Sequence, residues 1–206
     1  MRVVRLRQLR LDVPRALRDA ALDYVALRRF LHWLGTLPPE RPLWLFDIDN
    51  TLAVTWPSLM PPVAPEPQRL AGLPVHAGAR ALLAEAEQAG AAVVFLTARA
   101  HRSSGVTRAW LARQLDVPPV HPLFLVSSAA RKEAFFSHAA ATKRQVTVVD
   151  DLSYGHETGE VQMHQPLIAL LAALPVRHID YEALCARNGD AFYAPGKVRA
   201  HVQKQR

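Results

Sequence analysis

The stretch LWLFDIDNTLAV, residues 43–54, runs a short apolar segment into two aspartates, Asp47 and Asp49, with a single residue between them. The apolar part reads as a buried strand, yet strands are poor in Asp and a buried, unpaired carboxylate is costly. A core strand that ends this way is either turning or holding charge for use. Similar apolar runs recur at 91–97 (AAVVFLT), 122–127 (PLFLVS), 145–150 (QVTVVD) and 175–180 (PVRHID). Helical patterns fall between them at roughly 78–89, 104–116, 129–141 and 163–174, and again at 181–188. Apolar strands alternating with helices predict an α/β fold, a central parallel sheet covered on both faces by helices.

Three segments lie outside that alternation. Leu17, Ala20, Tyr24, Leu27, Leu31 and Leu34 recur at helical spacing, which predicts a helix over 14–34. Pro14 suits its first turn, and Gly35 with Pro38 and Pro39 would end it. This makes residues 1–40 a basic helical extension ahead of a main domain over 41–194. The proline-crowded segment 53–75 is expected to be neither regular helix nor central strand, and forms a flap or minimal cap just past the aspartate pair. The basic tail, 195–206, is expected to be poorly ordered.

Composition narrows the function classes. Half of the 206 residues are hydrophobic, enough for one sizeable core. No apolar run approaches ~18 residues, so no transmembrane helix or membrane partner is expected. Arginines scattered through MRVVRLRQLRLDVPR leave no hydrophobic signal region. Cys185 is the only cysteine; it excludes an internal disulfide, fits a small core position on a late helix, and points to a reducing, cytoplasmic setting. The net charge of +7 comes from 21 Arg and 4 Lys against 18 acidic residues. Such a surface attracts polyanions, nucleic acid among them, although a composition bias toward Ala, Arg and Pro gives the same balance. Ser103-Ser104 lack a GxSxG elbow, so a serine hydrolase is not expected, and no GxxxxGK[ST] occurs, so the sequence has no P-loop motif.

The chemistry concentrates at strand ends, where open α/β sheets bind ligands. The first strand ends in Asp47 and Asp49, the second in Thr97 with Arg99 beyond it, and the fourth in Asp150 and Asp151; Arg131 and Lys132 open a helix. Clustered carboxylates repel unless a cation neutralises them, and an all-oxygen donor set suits Mg²⁺. Other candidates are weaker. Trp56 could stack on a base, cover the site or anchor its own loop, and Trp110 reads as core. The nine His are dispersed, with only His156 placed near the aspartate pair at 150–151, beside substrate or behind the metal ligands.

DIDNT at 47–51, Thr97 closing VVFLT, Lys132 at a helix start and DD at 150–151 resemble, in that order, the haloacid dehalogenase (HAD) superfamily of phosphotransferases. The resemblance covers residues 43–151 and implies a Rossmann-like three-layer fold with a Mg²⁺ site. It implies Asp47 as nucleophile, and Asp49 as general acid to the leaving oxygen and then base to water. An ordinary Asp has a pKa of about 3.9, so the acid role needs an environment that raises it. Thr51 would bond and orient the motif on the substrate side. Thr97 and the backbone at Ala98 would hold phosphoryl oxygens, and Arg99 would contact the rest of the substrate. Lys132 would neutralise charge on nucleophile and phosphoryl group, while Asp47, the backbone carbonyl of Asp49, Asp150 and Asp151 would hold the metal.

Within the superfamily, an acid at Asp49 fits phosphatases and phosphomutases, and the segment between Thr51 and Gly78 is too short for a folded cap. An open site follows. TARAHRSSGVTRAWL (97–111) and RKEAFFSHAA (131–140) are similar to the phosphatase half of bacteriophage-type polynucleotide kinase/3′-phosphatases. This implies phosphorylated nucleic acid ends as substrate, contacted by Arg99, Arg102, Arg108 and arginines of the first helix. A small-molecule phosphatase and a non-hydrolytic phosphate- or RNA-binding module remain the competing readings. The apolar stripe of the first helix would pack on the core or make a homo-oligomer.

Overall fold

Five short parallel strands carry the molecule, and everything chemical hangs from one edge of them. A computed structural model describes residues 3–158 and 160–188. In chain order these form α1 (Val3–Thr36), β1 (Leu43–Phe46), α2 (Glu66–Ala71), α3 (Ala79–Gln88), β2 (Ala92–Thr97) and α4 (Ser104–Leu115). Next come β3 (Leu123–Leu125), α5 (Lys132–Ala140), β4 (Val146–Val149), β5 (Ser153–Tyr154) and β6 (Gln162–Met163). The described chain closes with α6 (Gln165–Ala173), β7 (Arg177–Ile179) and α7 (Tyr181–Asn188). The sheet order is β3-β2-β1-β4-β7 with every pair parallel, and β1 at the centre sets Leu43 opposite both Ala92 and Val146. β5 and β6 form a separate antiparallel hairpin.

Alternation along the strands builds two cores. Leu43 and Leu45, with Val94, Leu96 and Val148 beside them, point to one layer. There they meet Phe30 and Leu34 of α1, Phe135 and Phe136 of α5, and Leu167 and Leu171 of α6. Trp44 and Phe46, with Val93, Phe95 and Val149, point the other way onto Leu82 of α3, Trp110 and Leu111 of α4 and Leu184 of α7. Each of these large side chains contributes about 1.5–3 kcal/mol by leaving water. The result is the expected three-layer, Rossmann-like α/β fold. Trp110 is fully buried, as its sequence context predicts, and its indole N–H donates to the Leu73 carbonyl at 2.8 Å.

Two local expectations fail. The first helix does not begin at Pro14 but runs through it from Val3. The proline-rich segment does contain a regular helix, α2, because Pro67 falls in its first turn, where no backbone N–H is needed. A 3-10 turn at Trp56–Leu59 precedes it. Among the described residues the core positions of α1 lie in its C-terminal half; Leu17 is 68 % and Tyr24 63 % exposed. Cys185 is half-buried on α7. Among the described residues no helix is long and apolar enough to cross a membrane. The tail expected over 195–206 lies outside the described residues.

Candidate active site

The site begins with the turn that follows β1. The Asp47 N–H still donates to the Val149 carbonyl at 2.8 Å, so the sheet ladder reaches the first aspartate. Beyond it the Ile48 carbonyl accepts N–H bonds from Thr51, Leu52 and Ala53, which closes a tight turn. Asn50 sits there in the left-handed region, φ 57°, a conformation Asn tolerates better than most residues. Its side-chain oxygen accepts the N–H groups of Thr55 at 3.2 Å and Trp56 at 3.0 Å. Asn50 therefore shapes the turn, a role the sequence motif does not announce. Trp56 is 1 % exposed, so it anchors this loop and offers no face for stacking on a base.

Asp47, Asp150 and Asp151 converge from the ends of β1 and β4, with one carboxylate oxygen from each within 4.8 Å of the others, all buried. The Lys132 ammonium, from the start of α5, lies 2.8 Å from Asp47 Oδ1 and 2.7 Å from Asp150 Oδ2. Thr51 is fully buried; its hydroxyl donates to Asp151 Oδ1 at 2.9 Å and accepts the Asp151 N–H at 3.2 Å. It orients a carboxylate and does not face the cleft. Leu152 takes a left-handed φ of 50°, and its N–H donates to Asp150 Oδ1 at 3.0 Å. The Ser153 hydroxyl donates to Asp151 and lies 2.6 Å from His156 Nε2. A hydroxyl has one proton, so His156 Nε2 carries the hydrogen in that second contact. His156 thus stands behind the aspartates, two bonds from Asp151.

Electrostatics fit a cation at the three aspartates. Burial pushes the Asp47 carboxyl well above the usual range, more than Lys132 pulls it down, and the neighbouring aspartates add to the rise. Burial, with the Asp150 charge, pushes Asp151 up to about 7 against hydrogen bonds from Ser153 and Thr51. Burial acts against the Lys132 charge, but Asp150 and Asp47 outweigh it, so the ammonium is held charged. Once all three carboxyls are ionised, they leave two negative charges against the one ammonium in a buried, all-oxygen donor set, which suits a hard divalent ion. The cluster could hold a metal ion; the Asp49 carboxylate is not part of it.

Asp49 faces the opposite way. Arg99, only 5 % exposed, donates to it from Nε and Nη2, both at 2.8 Å, and from Nη1 to Thr107 Oγ1 at 3.1 Å. Thr55 Oγ1 adds a 2.7 Å bond and Thr97 Oγ1 a long one at 3.4 Å. Burial acts to raise the Asp49 pKa, but the charge and hydrogen bonds of Arg99, the Thr55 bond and Lys132 together lower it. The environment thus favours the ionised form, the reverse of what a resting general acid needs. Two-point guanidinium–carboxylate pairing is among the stronger polar contacts, so Arg99 is a partner of Asp49 before it is anything to a substrate.

A cleft of about 320 Å³ opens on this pair, lined by Asp49, Glu66, Arg69, Ala98, Arg99 and His156 among others. Thr97 is fully buried beside it, and Ala98 reaches its wall. Of the other expected phosphate contacts, Arg102 pairs with Glu66, while Arg108 donates to the Pro119 and His121 carbonyls at 3.2 and 3.3 Å. Arg108 braces the turn before β3. No family model matches the chain, and no curated protein is significantly similar to it.

Proposed function

We propose that the chain is a Mg²⁺-dependent phosphomonoester hydrolase of HAD type, working through a phosphoryl group carried on Asp47. One observation carries the reading: Asp47, Lys132, Asp150 and Asp151 form a single buried cluster at the carboxyl end of the central strand. In the first step an Asp47 oxygen attacks phosphorus as the ester P–O bond breaks, and its electron pair leaves on the ester oxygen. In the second, water attacks the same phosphorus, releasing inorganic phosphate and restoring Asp47. Lys132 screens charge on the nucleophile and the transferring oxygens throughout. Mg²⁺, held by Asp47, Asp150 and Asp151, would withdraw charge from the phosphoryl oxygens.

Asp49 shapes the substrate range. Ionised on Arg99, it is ready to take the water proton in the second step. Donating a proton in the first step requires Asp49 to be protonated, which loosens its pairing with Arg99. Esters whose leaving oxygen needs little help, such as aryl phosphates, would react most easily. The open cleft and basic balance fit phosphorylated nucleic acid ends or nucleotides, and small phosphate esters enter the same cleft.

The test is hydrolysis of an aryl phosphate by purified protein with Mg²⁺ and with chelator. Activity is expected only with metal, and Asp47→Asn should abolish it. Hydrolysis persisting in that variant after contaminants are excluded would remove Asp47 from the nucleophile's role.

A further inference from the structure

Beside the cleft lies a second cavity, of about 570 Å³, between α1 and the loop that follows β2. Arg15, Arg18 and Asp19 of α1 line one side, and His101, Arg102 and Ser127 the other. Three guanidinium groups and one carboxylate, Asp19, thus line the groove. Asp19 meets Arg15 and Arg18 only loosely, at 3.7 and 3.8 Å, and both arginine side chains are about two-thirds exposed. Arg102 is steadied by Glu66 at the boundary between the two cavities. Ala100 lines both of them. It lies three residues past Thr97, so at most about 11 Å of extended chain separates this shared wall from Thr97.

The wall of this groove is built to hold its place. Asp23, on α1, is 7 % exposed and accepts both the N–H (2.8 Å) and the hydroxyl of Ser127. It also lies 3.0 Å from His101 Nε2 and 3.5 Å from Arg131 Nε. One buried carboxylate on α1 therefore clamps the loop that follows Thr97 and the loop leading to Lys132. The helix that carries Arg15 and Arg18 is held relative to the reacting groups as a consequence, while their side chains stay about two-thirds exposed.

We infer that this groove is a subsite for a second phosphate group of the same substrate, a reading that rests on the hydrolase proposal above. Arginine forks match phosphate oxygens in geometry and charge, and the junction at Ala100 lets one molecule occupy both spaces. The second phosphate would come either from a small bisphosphate or from the phosphodiester next to a phosphorylated strand end.

The experiment compares kcat/KM for an aryl phosphate, a nucleoside 3′,5′-bisphosphate and a 3′-phosphorylated oligonucleotide. The variant is Arg15→Ala/Arg18→Ala, and the charge-matched control is Arg28→Ala/Arg29→Ala, at exposed positions of α1 that do not line the groove. The double groove variant should lower the selectivity for a two-phosphate substrate over the aryl phosphate at least tenfold, and the control less than twofold. For the oligonucleotide, the slope of log kcat/KM against log salt should also flatten by about 1.4, two contacts at ~0.7 each on a single strand. A loss confined to the oligonucleotide assigns the subsite to a strand; an equal loss with the bisphosphate assigns it to a lone phosphate. Selectivity within twofold of wild type for both substrates overturns the subsite. Anisotropy of the labelled 3′-phosphorylated oligonucleotide on Asp47→Asn protein separates the two proposals. If no ester is hydrolysed yet removal of Arg15 and Arg18 weakens this binding tenfold, the hydrolase reading fails and the subsite stands.

Discussion

Replacing Lys132 by Met tests whether the carboxylate cluster depends on its one ammonium. Lys132 is 3 % exposed and lies within 2.8 Å of two carboxylates that are themselves buried. Methionine fills most of the stem's volume and removes only the charge, leaving Asp47, Asp150 and Asp151 uncompensated. Breaking a buried pair by deleting one partner costs about 3–5 kcal/mol. At ~2–4 °C per kcal/mol for a chain of this size, Tm should fall by about 6–20 °C. The assay is thermal unfolding in chelator, so that no divalent ion takes over the lost charge. The penalty should depend on pH with a definite sign. Asp47 and Asp151 have folded pKa values raised by burial, Asp151 to about 7, so their strain is absent in acid, grows as pH rises from the ordinary carboxyl value near 4 toward that value, and is complete above it. The gap between Lys132→Met and wild type should be widest above pH ~7 and narrow toward pH ~4. A variant melting within 2 °C of wild type at pH 8 would refute the reasoning, because the cluster would then be relieved by something other than Lys132.

Two further perturbations probe the groups on either side. Arg99→Leu leaves Asp49 half-buried without its main partner, so the acid limb of the pH–rate profile should move to higher pH; an unmoved limb would show that Asp49 does not set it. His76 is 2 % exposed, with its pKa pushed down to about 4 by burial and by the charge of His156. The unfolded chain binds that proton near an ordinary 6.5, so stability is lost as pH falls from about 6.5 to 4. His76→Phe should flatten the slope of unfolding free energy in that window by about 1.4 kcal/mol per pH unit, measured by denaturant titration.

The sheet was legible because parallel strands buried on both faces read as unbroken apolar runs, as LWLF and TVV do. The aspartates at 47, 150 and 151 were legible because such strands end where the chemistry sits. What the sequence hid are contacts that join distant segments. Thr51 reads as a neighbour of Asp49, yet its hydroxyl belongs to Asp151, just past the end of another strand. Arg99 reads as a cation facing substrate, and only the fold reveals that β2 delivers it to Asp49. The clamp at Asp23 joins α1 to the loop after β3, and no local pattern marks it. Local misreadings have local causes. Pro14 looks like a helix start wherever a helix can begin nearby, and the β5–β6 hairpin has strands of two residues, too short to display a period.

The central position of β1 also governs when the molecule can be finished. Leu43 pairs with Ala92 on one edge and with Val146 on the other, 49 and 103 residues further along the chain. During synthesis at ~5–20 residues per second, β1 can dock β2 while its second edge waits about 5–20 s for β4 to emerge. Through that interval an apolar strand bears an open row of backbone groups, the condition that favours pairing with another nascent chain. Asp47 spends the same time without the Val149 carbonyl, Lys132 or Asp150. The strand that begins the sheet thus waits for β4 before its second edge is paired, and the charged cluster can assemble only then.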